Sequence, residues 1–278
     1  MDEIFLNGNF IPRSQAQISI MDRGFLFGDG VYELIPVYNR KPFLIDKHLA
    51  RLKNSLNLIN MSQINNIESI INKLIEKNEG DNFHIYLHIT RGVQKKRQHV
   101  YSSEIEPTIV MLCEDYPPFS HSEISTGFMA TIEDDFRWLK SNIKSISLLG
   151  NVLLKNLASD KSCYETLLIR NNKLTEGSAS NIFIAKNNII YTPRLSNELL
   201  PGVTRDLLMK ILSDIDFVVN ESDISRVDLL DADEIWCSSS TNAVVPIVDV
   251  DNNKINDGRV GAIAMKAHNA TKKFIENY

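Results

Sequence analysis

Two segments in the first half of the chain carry hydrophobic residues at the spacing of an α-helix. The first apolar stripe consists of Leu49, Leu52, Leu56 and Ile59. The second consists of Ile67, Ile70, Ile71, Leu74 and Ile75. Residues at this spacing share one helix face, so both stripes predict amphipathic helices, the first capped by Asp46 and the second ended by Gly80. Each helix needs a sheet to cover its apolar face.

Hydrophobic and polar residues alternate in the segments around these helices, which is typical of strands. The run FHIYLHIT at residues 83–90 places its aliphatic side chains on one face, and residues 108–115 predict another strand. The polar face of the first run carries His84, Tyr86 and His88. Asn7-Gly8 is a hairpin signal, and residues 18–38 read as strands interrupted by glycine turns. The first lobe is therefore predicted to be α+β.

Two adjacent prolines, beginning at Pro117, mark the boundary between two predicted lobes. Because proline cannot donate to a sheet ladder and restricts its neighbour, we place a linker at residues 117–122. The lobes are then residues 1–116 and 123–278. In the second lobe, residues 164–193 read as short strands joined by Asn-rich turns. Helices are predicted there at residues 152–159, 204–213 and 260–274.

Composition and charge exclude several classes of protein. The 278 residues are 43% hydrophobic and 23% charged, and no apolar run reaches the roughly 18 to 20 residues that span a bilayer. No secretory signal precedes the first strand, so a cytoplasmic location is predicted. The formal net charge of -5 argues against a nucleic-acid partner. The scattered cysteines Cys113, Cys163 and Cys237 predict buried small side chains rather than a disulfide framework or a zinc site.

Two segments are candidate cradles for a phosphate group. LLPGVTRDLL places Pro-Gly directly before a predicted helix, so the first-turn amides of Val203 and Thr204 are available to an anion. CSSSTNAVVP at residues 237–246 combines small hydroxyl side chains with approachable backbone amides. Neither segment matches a P-loop or a Rossmann fingerprint, which favours one phosphate group over a dinucleotide.

A carbonyl-bearing cofactor also needs a lysine that can form a Schiff base. Lys140 and Lys144 lie in the basic run RWLKSNIKSISLLGN and share strand parity, so the pattern leaves the choice between them open. His84 and His88 share a strand face, but no third ligand has suitable spacing. No metal site is therefore predicted.

Five spaced motifs resemble those of one known family. FGDGVYE, HLARL, IKSISLL, TEGSASNIF and LPGVTRD occur in the order found in class IV, fold-type IV pyridoxal-phosphate aminotransferases, and they extend over nearly the whole chain. Within that family the chain is most similar to bacterial D-amino-acid aminotransferases. The resemblance implies an α+β, two-lobed enzyme with a small N-terminal α/β sandwich lobe and a larger C-terminal pseudo-barrel lobe.

The resemblance also assigns residues to pyridoxal 5'-phosphate. It implies that Lys144 forms the covalent aldimine and then shuttles the α-proton, and that Glu176 faces the pyridine nitrogen. Arg51 in HLARL matches the family's phosphate-binding arginine. The other implied cofactor contacts are Ser180, Asn181, Leu200, Val203, Thr204, Ser239 and Ser240.

Substrate recognition is implied by the segment RGVQKKRQH. Its Arg97 and His99 resemble the pair that binds the α-carboxylate in D-amino-acid aminotransferases, and Tyr32 completes this trap. In that family the pair comes from the neighbouring subunit, so a homodimer is implied. The expected reaction is a ping-pong transamination of D-amino acids, such as D-alanine and D-glutamate, with 2-oxo acids such as 2-oxoglutarate.

Two positions bear on the alternatives. Leu149 stands where branched-chain aminotransferases of the same fold tend to carry a tyrosine, which favours the D-specific interpretation. Pro36 stands where close D-specific relatives tend to carry a lysine, so side-chain recognition stays open. The alternatives are a branched-chain L-amino-acid aminotransferase, an aminodeoxychorismate lyase of the same fold, and a protein that binds the cofactor without turnover.

Overall fold

The computed structural model describes residues 2–278, which divide into two compact units. Unit 1 contains the described chain up to Pro117 and the short segment Ile143–Leu148. Unit 2 contains Pro118–Asn142 and Leu149–Tyr278. The chain therefore leaves unit 1 and returns to it once, and the returning segment contains one of the two candidate lysines. Within the described residues no helix is long and apolar enough to cross a membrane.

Unit 1 combines a six-stranded sheet with helices. Its elements are β1 (Glu3–Leu6), β2 (Asn9–Pro12), α1 (Arg23–Phe27), β3 (Gly30–Tyr38), β4 (Lys41–Pro42), α2 (Ile45–Leu58), α3 (Ile67–Lys77), β5 (Phe83–Thr90) and β6 (Thr108–Glu114). The strand order is β2-β1-β6-β5-β3-β4, and the neighbouring strands are antiparallel. The predicted hairpin at Asn7-Gly8 is confirmed, since both residues have positive φ between β1 and β2.

Both predicted helical stripes pack into one core with the sheet. Leu52 of α2 and Ile71 and Leu74 of α3 are buried in that core together with the aliphatic side chains of β5. This burial is what makes both helices stable, because short helices gain most of their stability from packing. Asp46 lies in the first turn of α2 rather than at its N-cap, which is Leu44, so the predicted cap is wrong.

Residues 23–27 form the helix α1, so the strand predicted across this segment is wrong. Asp22 caps the helix by accepting a hydrogen bond from the Gly24 N–H at 2.7 Å. Gly28 ends it in the left-handed conformation with φ 65°. A Cβ atom at Gly28 would lie 2.6 Å from Ser147 Oγ, so both the backbone conformation and the space favour glycine.

Unit 2 is built on a nine-stranded sheet. Its elements are α4 (His121–Thr126), β7 (Phe128–Asp134), α5 (Leu149–Asp160), β8 (Glu165–Arg170), β9 (Lys173–Gly177), β10 (Asn181–Lys186), β11 (Ile189–Pro193), α6 (Val203–Asp214), β12 (Val218–Ser222), α7 (Arg226–Leu230), β13 (Glu234–Ser238), β14 (Val245–Val250), β15 (Asn253–Lys254) and α8 (Ala262–Glu276). The strand order is β12-β11-β10-β13-β14-β7-β8-β9, with β15 paired to β14.

The strands and helices predicted for unit 2 are confirmed. The turns between β8 and β9 and between β10 and β11 are Asn-Asn pairs with positive φ, which asparagine tolerates better than other side chains. The three predicted helices are α5, α6 and α8. Cys113 and Cys237 are buried as predicted, whereas Cys163 is half-buried, and all three are free thiols.

Candidate active site

The segment that carries Lys144 forms no strand, and hydrogen bonds tie it to the rest of unit 1. The Tyr32 N–H donates to the Lys144 carbonyl at 2.9 Å, and the Lys144 N–H donates to Ser55 Oγ at 3.2 Å. Lys144 Nζ lies 4.1 Å from the centre of the Tyr32 ring. These contacts fix the backbone of Lys144 and place its amine against an aromatic face.

Lys140 has a different environment from Lys144. It is exposed in a turn of unit 2, whereas Lys144 is half-buried in unit 1. The prediction that the two lysines share strand parity is wrong, because neither lies in a strand. The geometry favours Lys144 as the reactive amine, since an exposed lysine has no neighbour to orient its amine.

A buried carboxylate lies next to Tyr32 on β3. Glu33 accepts two hydrogen bonds from Arg51, from Nε at 2.7 Å and from Nη2 at 2.8 Å, and its Oε2 lies 2.9 Å from His48 Nδ1. Burial alone raises the pKa of Glu33, but the charge and hydrogen bonds of Arg51 outweigh it and lower that pKa to about 2. Glu33 therefore stays ionised and fixes the guanidinium of Arg51 in one orientation.

An aromatic and polar face extends from Tyr32 along β5. The rings of Tyr32 and Tyr86 are 5.8 Å apart, and Tyr86 Oη lies 2.8 Å from His88 Nδ1. Burial raises the pKa of Tyr86 to about 12 and lowers the pKa of His88, so both side chains are neutral at pH 7. The described residues contain no group of three or more His, Cys, Asp or Glu side chains arranged to hold a metal ion.

Arg97 and His99 lie on the long loop between β5 and β6, and both pack against Phe27 of α1. The Arg97 guanidinium lies 5.0 Å from the centre of the Phe27 ring, and the His99 ring lies 5.3 Å from it. Both side chains are exposed. Neither forms a hydrogen bond, ion pair or ring contact with Tyr32 or Lys144 within the described chain. The structure thus brings Arg97 and His99 together on Phe27, without a contact to Tyr32, the third predicted member of the trap.

In unit 2, Glu176 at the end of β9 is a buried carboxylate with several donors. Its Oε1 accepts a hydrogen bond from Arg137 Nη1 at 2.6 Å, and its Oε2 accepts one from the Leu200 N–H at 3.0 Å. Asn181 Nδ2 lies 3.4 Å from the same oxygen. Burial raises the pKa of Glu176 to about 7, although Arg137 and the Leu200 N–H oppose the increase. The proton affinity of Glu176 is therefore far above that of an exposed glutamate.

The role of Arg137 was not foreseen from the sequence. Besides Glu176 it binds Asp135, through Nε at 2.9 Å and Nη2 at 2.9 Å. Arg137 stands in the basic run RWLK, but its partner Glu176 is 39 positions away in sequence, so no local pattern connects them. The one available signal was the general rule that a buried carboxylate is usually paired with a cation such as arginine.

A second buried carboxylate, Glu165 at the start of β8, organises the turn after Glu176. Ser180 Oγ donates to Glu165 at 2.7 Å, the Ser178 N–H donates at 3.1 Å, and the Ser178 hydroxyl makes a further short hydrogen bond. The small hydroxyl residues of TEGSASNIF thus serve the architecture of this turn. They hold Asn181, whose side chain also donates to the Leu200 carbonyl at 2.9 Å.

The helix α6 begins directly after Gly202 and has no side-chain cap. A Cβ atom at Gly202 would lie 2.0 Å from Asn181 Oδ1, so only glycine fits between this amide and the helix. The first-turn amides of Val203 and Thr204 are therefore suited to an anion. Ser239 belongs to a tight turn in which its hydroxyl accepts from the Asn242 N–H at 3.2 Å, and Ser240 follows it, half-buried.

Comparison with known families assigns the chain. The model of the family described as amino-transferase class IV matches residues 30–250. The chain belongs to the class IV aminotransferases. It is therefore a pyridoxal-phosphate-dependent enzyme, as the resemblance implied.

Curated relatives of this class IV aminotransferase match it over its full length. It is 38% identical over 282 aligned residues to a D-alanine aminotransferase of Staphylococcus aureus strain N315, with 100% of the chain and 99% of the relative covered. It is 34% identical over 272 residues to a D-alanine aminotransferase of Listeria innocua, with 96% and 94% covered.

Solved structures show the fold of this class IV aminotransferase. A branched-chain amino acid aminotransferase of Escherichia coli superposes with a TM-score of 0.91 at 21% identity, covering 99% of the chain and 94% of that structure. A branched-chain aminotransferase of Thermoproteus uzoniensis with norvaline gives a TM-score of 0.89 at 19% identity, covering 99% and 95%. At this identity the match confirms the predicted fold-type IV architecture and carries no conclusion about substrates.

The residues of this class IV aminotransferase fit pyridoxal 5'-phosphate. A buried carboxylate such as Glu176 suits a protonated pyridine nitrogen, because its negative charge stabilises the pyridinium and Arg137 keeps it oriented. The uncapped start of α6 suits a phosphate. Lys144 provides an amine held in a defined place. Each feature, taken within its own unit, suits one group of the cofactor: the aldehyde, the ring nitrogen or the phosphate.

Proposed function

We propose that this aminotransferase transfers the amino group of D-amino acids to 2-oxo acids, with D-alanine and D-glutamate as the natural pair and 2-oxoglutarate as an acceptor. The observation that carries the substrate class is the likeness over the whole chain to relatives named D-alanine aminotransferase. The Arg97 and His99 pair supports it, because both side chains share one aromatic support and offer donors for a carboxylate.

Lys144 is the proposed catalytic base. When bound, pyridoxal 5'-phosphate supplies the electron sink that makes the α-hydrogen of an amino acid acidic. Lys144 Nζ would remove that proton from the α-carbon and return it later in the transfer. Its contact with the Tyr32 ring and its two backbone hydrogen bonds hold the amine in place for this task.

Glu176 and Arg51 are proposed to hold the two ends of the cofactor. Glu176 would stabilise a proton at the pyridine nitrogen, with Arg137 keeping its carboxyl group oriented. Arg51 would bind the phosphate in an orientation that Glu33 fixes. Ser180, Asn181, Leu200, Ser239 and Ser240, with the first-turn amides of α6, complete the proposed cofactor contacts.

Enantiomer assays test the substrate class directly. We expect pyruvate to form from D-alanine and 2-oxoglutarate, with D-glutamate as the co-product, and little or none to form from L-alanine. Pyruvate is measured with lactate dehydrogenase, and the hand of the glutamate is measured by chiral chromatography. Because the arrangement of the carboxylate trap decides which enantiomer presents its α-hydrogen to the base, the preference for the D-form should be strong.

Other outcomes of the same assays would contradict the proposal. Preferred conversion of L-leucine would indicate a branched-chain aminotransferase. Pyruvate formed from aminodeoxychorismate without any amino acceptor would indicate a lyase. A visible cofactor band that does not respond to any amino acid would indicate a protein that binds the cofactor without turnover.

We further propose that two copies of the chain form a homodimer in which Arg97 and His99 serve the active site of the other copy. An exposed apolar patch of unit 2 supports self-association. It consists of Phe136, Trp138, Leu139, Leu149, Val152 and Leu153. The patch residues from α5 share one helix face. The helix also lies close to the segment that carries Phe136, since a Cβ atom built at Gly150 would be 3.1 Å from Arg137 and 3.8 Å from Phe136.

Mixing two inactive variants tests this shared site. Lys144→Ala lacks the base and Arg97→Ala lacks the carboxylate ligand, so each alone should be inactive with D-alanine at low concentration. After dissociation and random reassociation, hybrid dimers contain one intact site, and about a quarter of the wild-type activity should return. Sedimentation velocity should give a dimer.

Matched apolar substitutions provide the control for this mixing experiment. Leu153→Glu in both partners should prevent the return of activity and shift sedimentation toward the monomer. Val227→Glu changes an exposed valine on α7 of the same unit, outside the patch, and should have neither effect. Mixing that restores nothing while wild-type dimers form would contradict the sharing of the site.

A further inference from the structure

The loop that carries Arg97 and His99 has no strand or helix to define its shape. It joins β5 to β6 across residues 91–107 and makes only one isolated bridge, between Val93 and Asp22. Backbone carbonyls in such a loop need donors from elsewhere if the loop is to keep one conformation. The side chains that supply those donors therefore decide where Arg97 and His99 lie.

Arg23 of α1 supplies two of these donors. Its Nη1 donates to the Gln98 carbonyl at 2.7 Å and its Nη2 donates to the His99 carbonyl at 2.9 Å. Arg23 is only 4% exposed, which is unusual for an arginine. The planar guanidinium of Arg23 thus holds two successive peptide groups, those of the Gln98 and His99 carbonyls.

Gln94 extends this clamp to a third peptide group. Its Nε2 donates to the Val100 carbonyl at 3.2 Å, and its Oε1 accepts from Arg23 Nη1 at 3.2 Å. The loop therefore closes on itself around the Arg23 guanidinium.

The guanidinium of Arg23 is itself anchored. Its Nε donates to Asp29 Oδ2 at 2.7 Å, and the same carboxylate accepts from Arg91 Nε at 2.9 Å. Burial tends to raise the pKa of Asp29, but the two arginines overcome it and lower that pKa, so the carboxylate stays charged. Phe27, one turn further along α1, supports the side chains of Arg97 and His99.

We propose that Arg23 is a positioning residue for recognition of the substrate α-carboxylate. It holds the two peptide groups that flank His99, so that Arg97 and His99 share the Phe27 support in one fixed arrangement. This inference rests on the proposed D-specific transamination. A lysine at position 23 would keep the charge but not the fork that reaches two carbonyls and Asp29 at once.

The test compares Arg23→Lys with Arg40→Lys in the pyridoxal-phosphate-loaded enzyme. Arg40 is a matched control because its guanidinium also donates to backbone carbonyls of unit 1, those of Ile75, Asn78 and Gly80, in and after the last turn of α3. We expect Arg23→Lys to raise KM for D-alanine on the order of tenfold to a hundredfold. Its kcat at saturation and its visible spectrum should stay those of the wild type, and Arg40→Lys should leave KM unchanged.

Limited trypsin digestion gives a readout that does not depend on activity. The exposed loop residues Lys95 and Lys96, next to Arg97, are trypsin sites. Arg23→Lys should be cut there several times faster than the wild type, as followed by mass spectrometry, and Arg40→Lys should not. If Arg23→Lys does not fold, Gln94→Ala removes one arm of the same clamp and should change KM and cleavage in the same direction.

The outcomes separate this inference from the proposed function. Turnover of D-alanine by the wild type, together with an unchanged KM and an unchanged cleavage rate in a folded Arg23→Lys, would overturn the positioning role alone. A rise in KM of equal size in Arg40→Lys would overturn it as well. A wild type that does not use D-alanine would overturn the proposed function, and the carboxylate role of Arg23 with it, whereas the cleavage rates would still show whether Arg23 holds the loop.

Discussion

Replacing Lys144 with alanine should lower the turnover of D-alanine on the order of 10⁴-fold, because the variant loses the base that moves the α-proton. The amine of Lys144 is the one held against Tyr32 by the contacts of its own backbone and side chain. Turnover is measured by coupled pyruvate detection. Borohydride treatment of the wild-type enzyme followed by peptide mapping should place the pyridoxyl label on the peptide that contains Lys144.

Lys140→Ala is the matched control for this prediction. Lys140 is exposed in a turn, so its replacement should leave turnover and the label unchanged. A fully active Lys144→Ala variant, or a label on the peptide of Lys140 alone, would transfer the catalytic role to Lys140.

Glu176→Gln should lower kcat on the order of 10²-fold, the scale of losing one electrostatic contact at a reacting centre. A neutral amide cannot stabilise a proton at the pyridine nitrogen, although it fills nearly the same volume. Glu234→Gln is the control, because Glu234 is also a buried acid of unit 2 but accepts from the amides at the start of α8, Ile263 at 3.0 Å and Ala264 at 2.7 Å. It should change stability without the loss of kcat.

The same substitution should change how stability depends on pH in the cofactor-free protein. The pKa of Glu176 is raised from 4.5 to about 7 by burial, so between these values the folded state binds a proton that the unfolded state has released. Stability from this group is fully present below pH 4.5 and is lost as the pH rises through 7. At about 1.4 kcal/mol per pKa unit, the loss amounts to about 3 kcal/mol.

Urea unfolding of the cofactor-free wild type and Glu176→Gln at several pH values measures this difference. The free energy of unfolding of the wild type should decrease more steeply between pH 4.5 and 8 than that of the variant. Parallel pH profiles would contradict a raised pKa for Glu176. An unchanged kcat in the variant would contradict its proposed contact with the pyridine nitrogen.

Most helices and strands of this protein follow from local patterns. The apolar stripes of α2 and α3 and the alternation in β5 were sufficient to predict elements whose apolar faces are buried in the core. Asparagine pairs were sufficient to predict two turns of unit 2. Local patterns failed at α1, where an aspartate cap starts a helix in a segment predicted to be a strand. They also failed at the segment of Lys144, where hydrogen bonds to distant residues replace a strand ladder.

The candidate site shows the same division. The order of the motifs was sufficient to nominate Lys144, Glu176, Arg51, Arg97 and His99. A family resemblance depends only on which residue types occur at which spacing along the chain. It did not reveal the groups that orient them. The contact of Arg137 with Glu176 joins residues 39 apart, and the contact of Arg23 with the His99 carbonyl joins residues 76 apart. Neither pair lies within one element or one motif.

The sequence by itself determined most of the secondary structure, the family and the residue types available for chemistry, since these depend mainly on residue types and spacing along the chain. Only the tertiary structure decided which of the two lysines has an ordered environment, which arginine supports Glu176, and which side chain holds the Arg97 loop. The physical reason is that burial and hydrogen-bond partners depend on segments that meet only after folding. Proton affinity and orientation at the site depend on those partners.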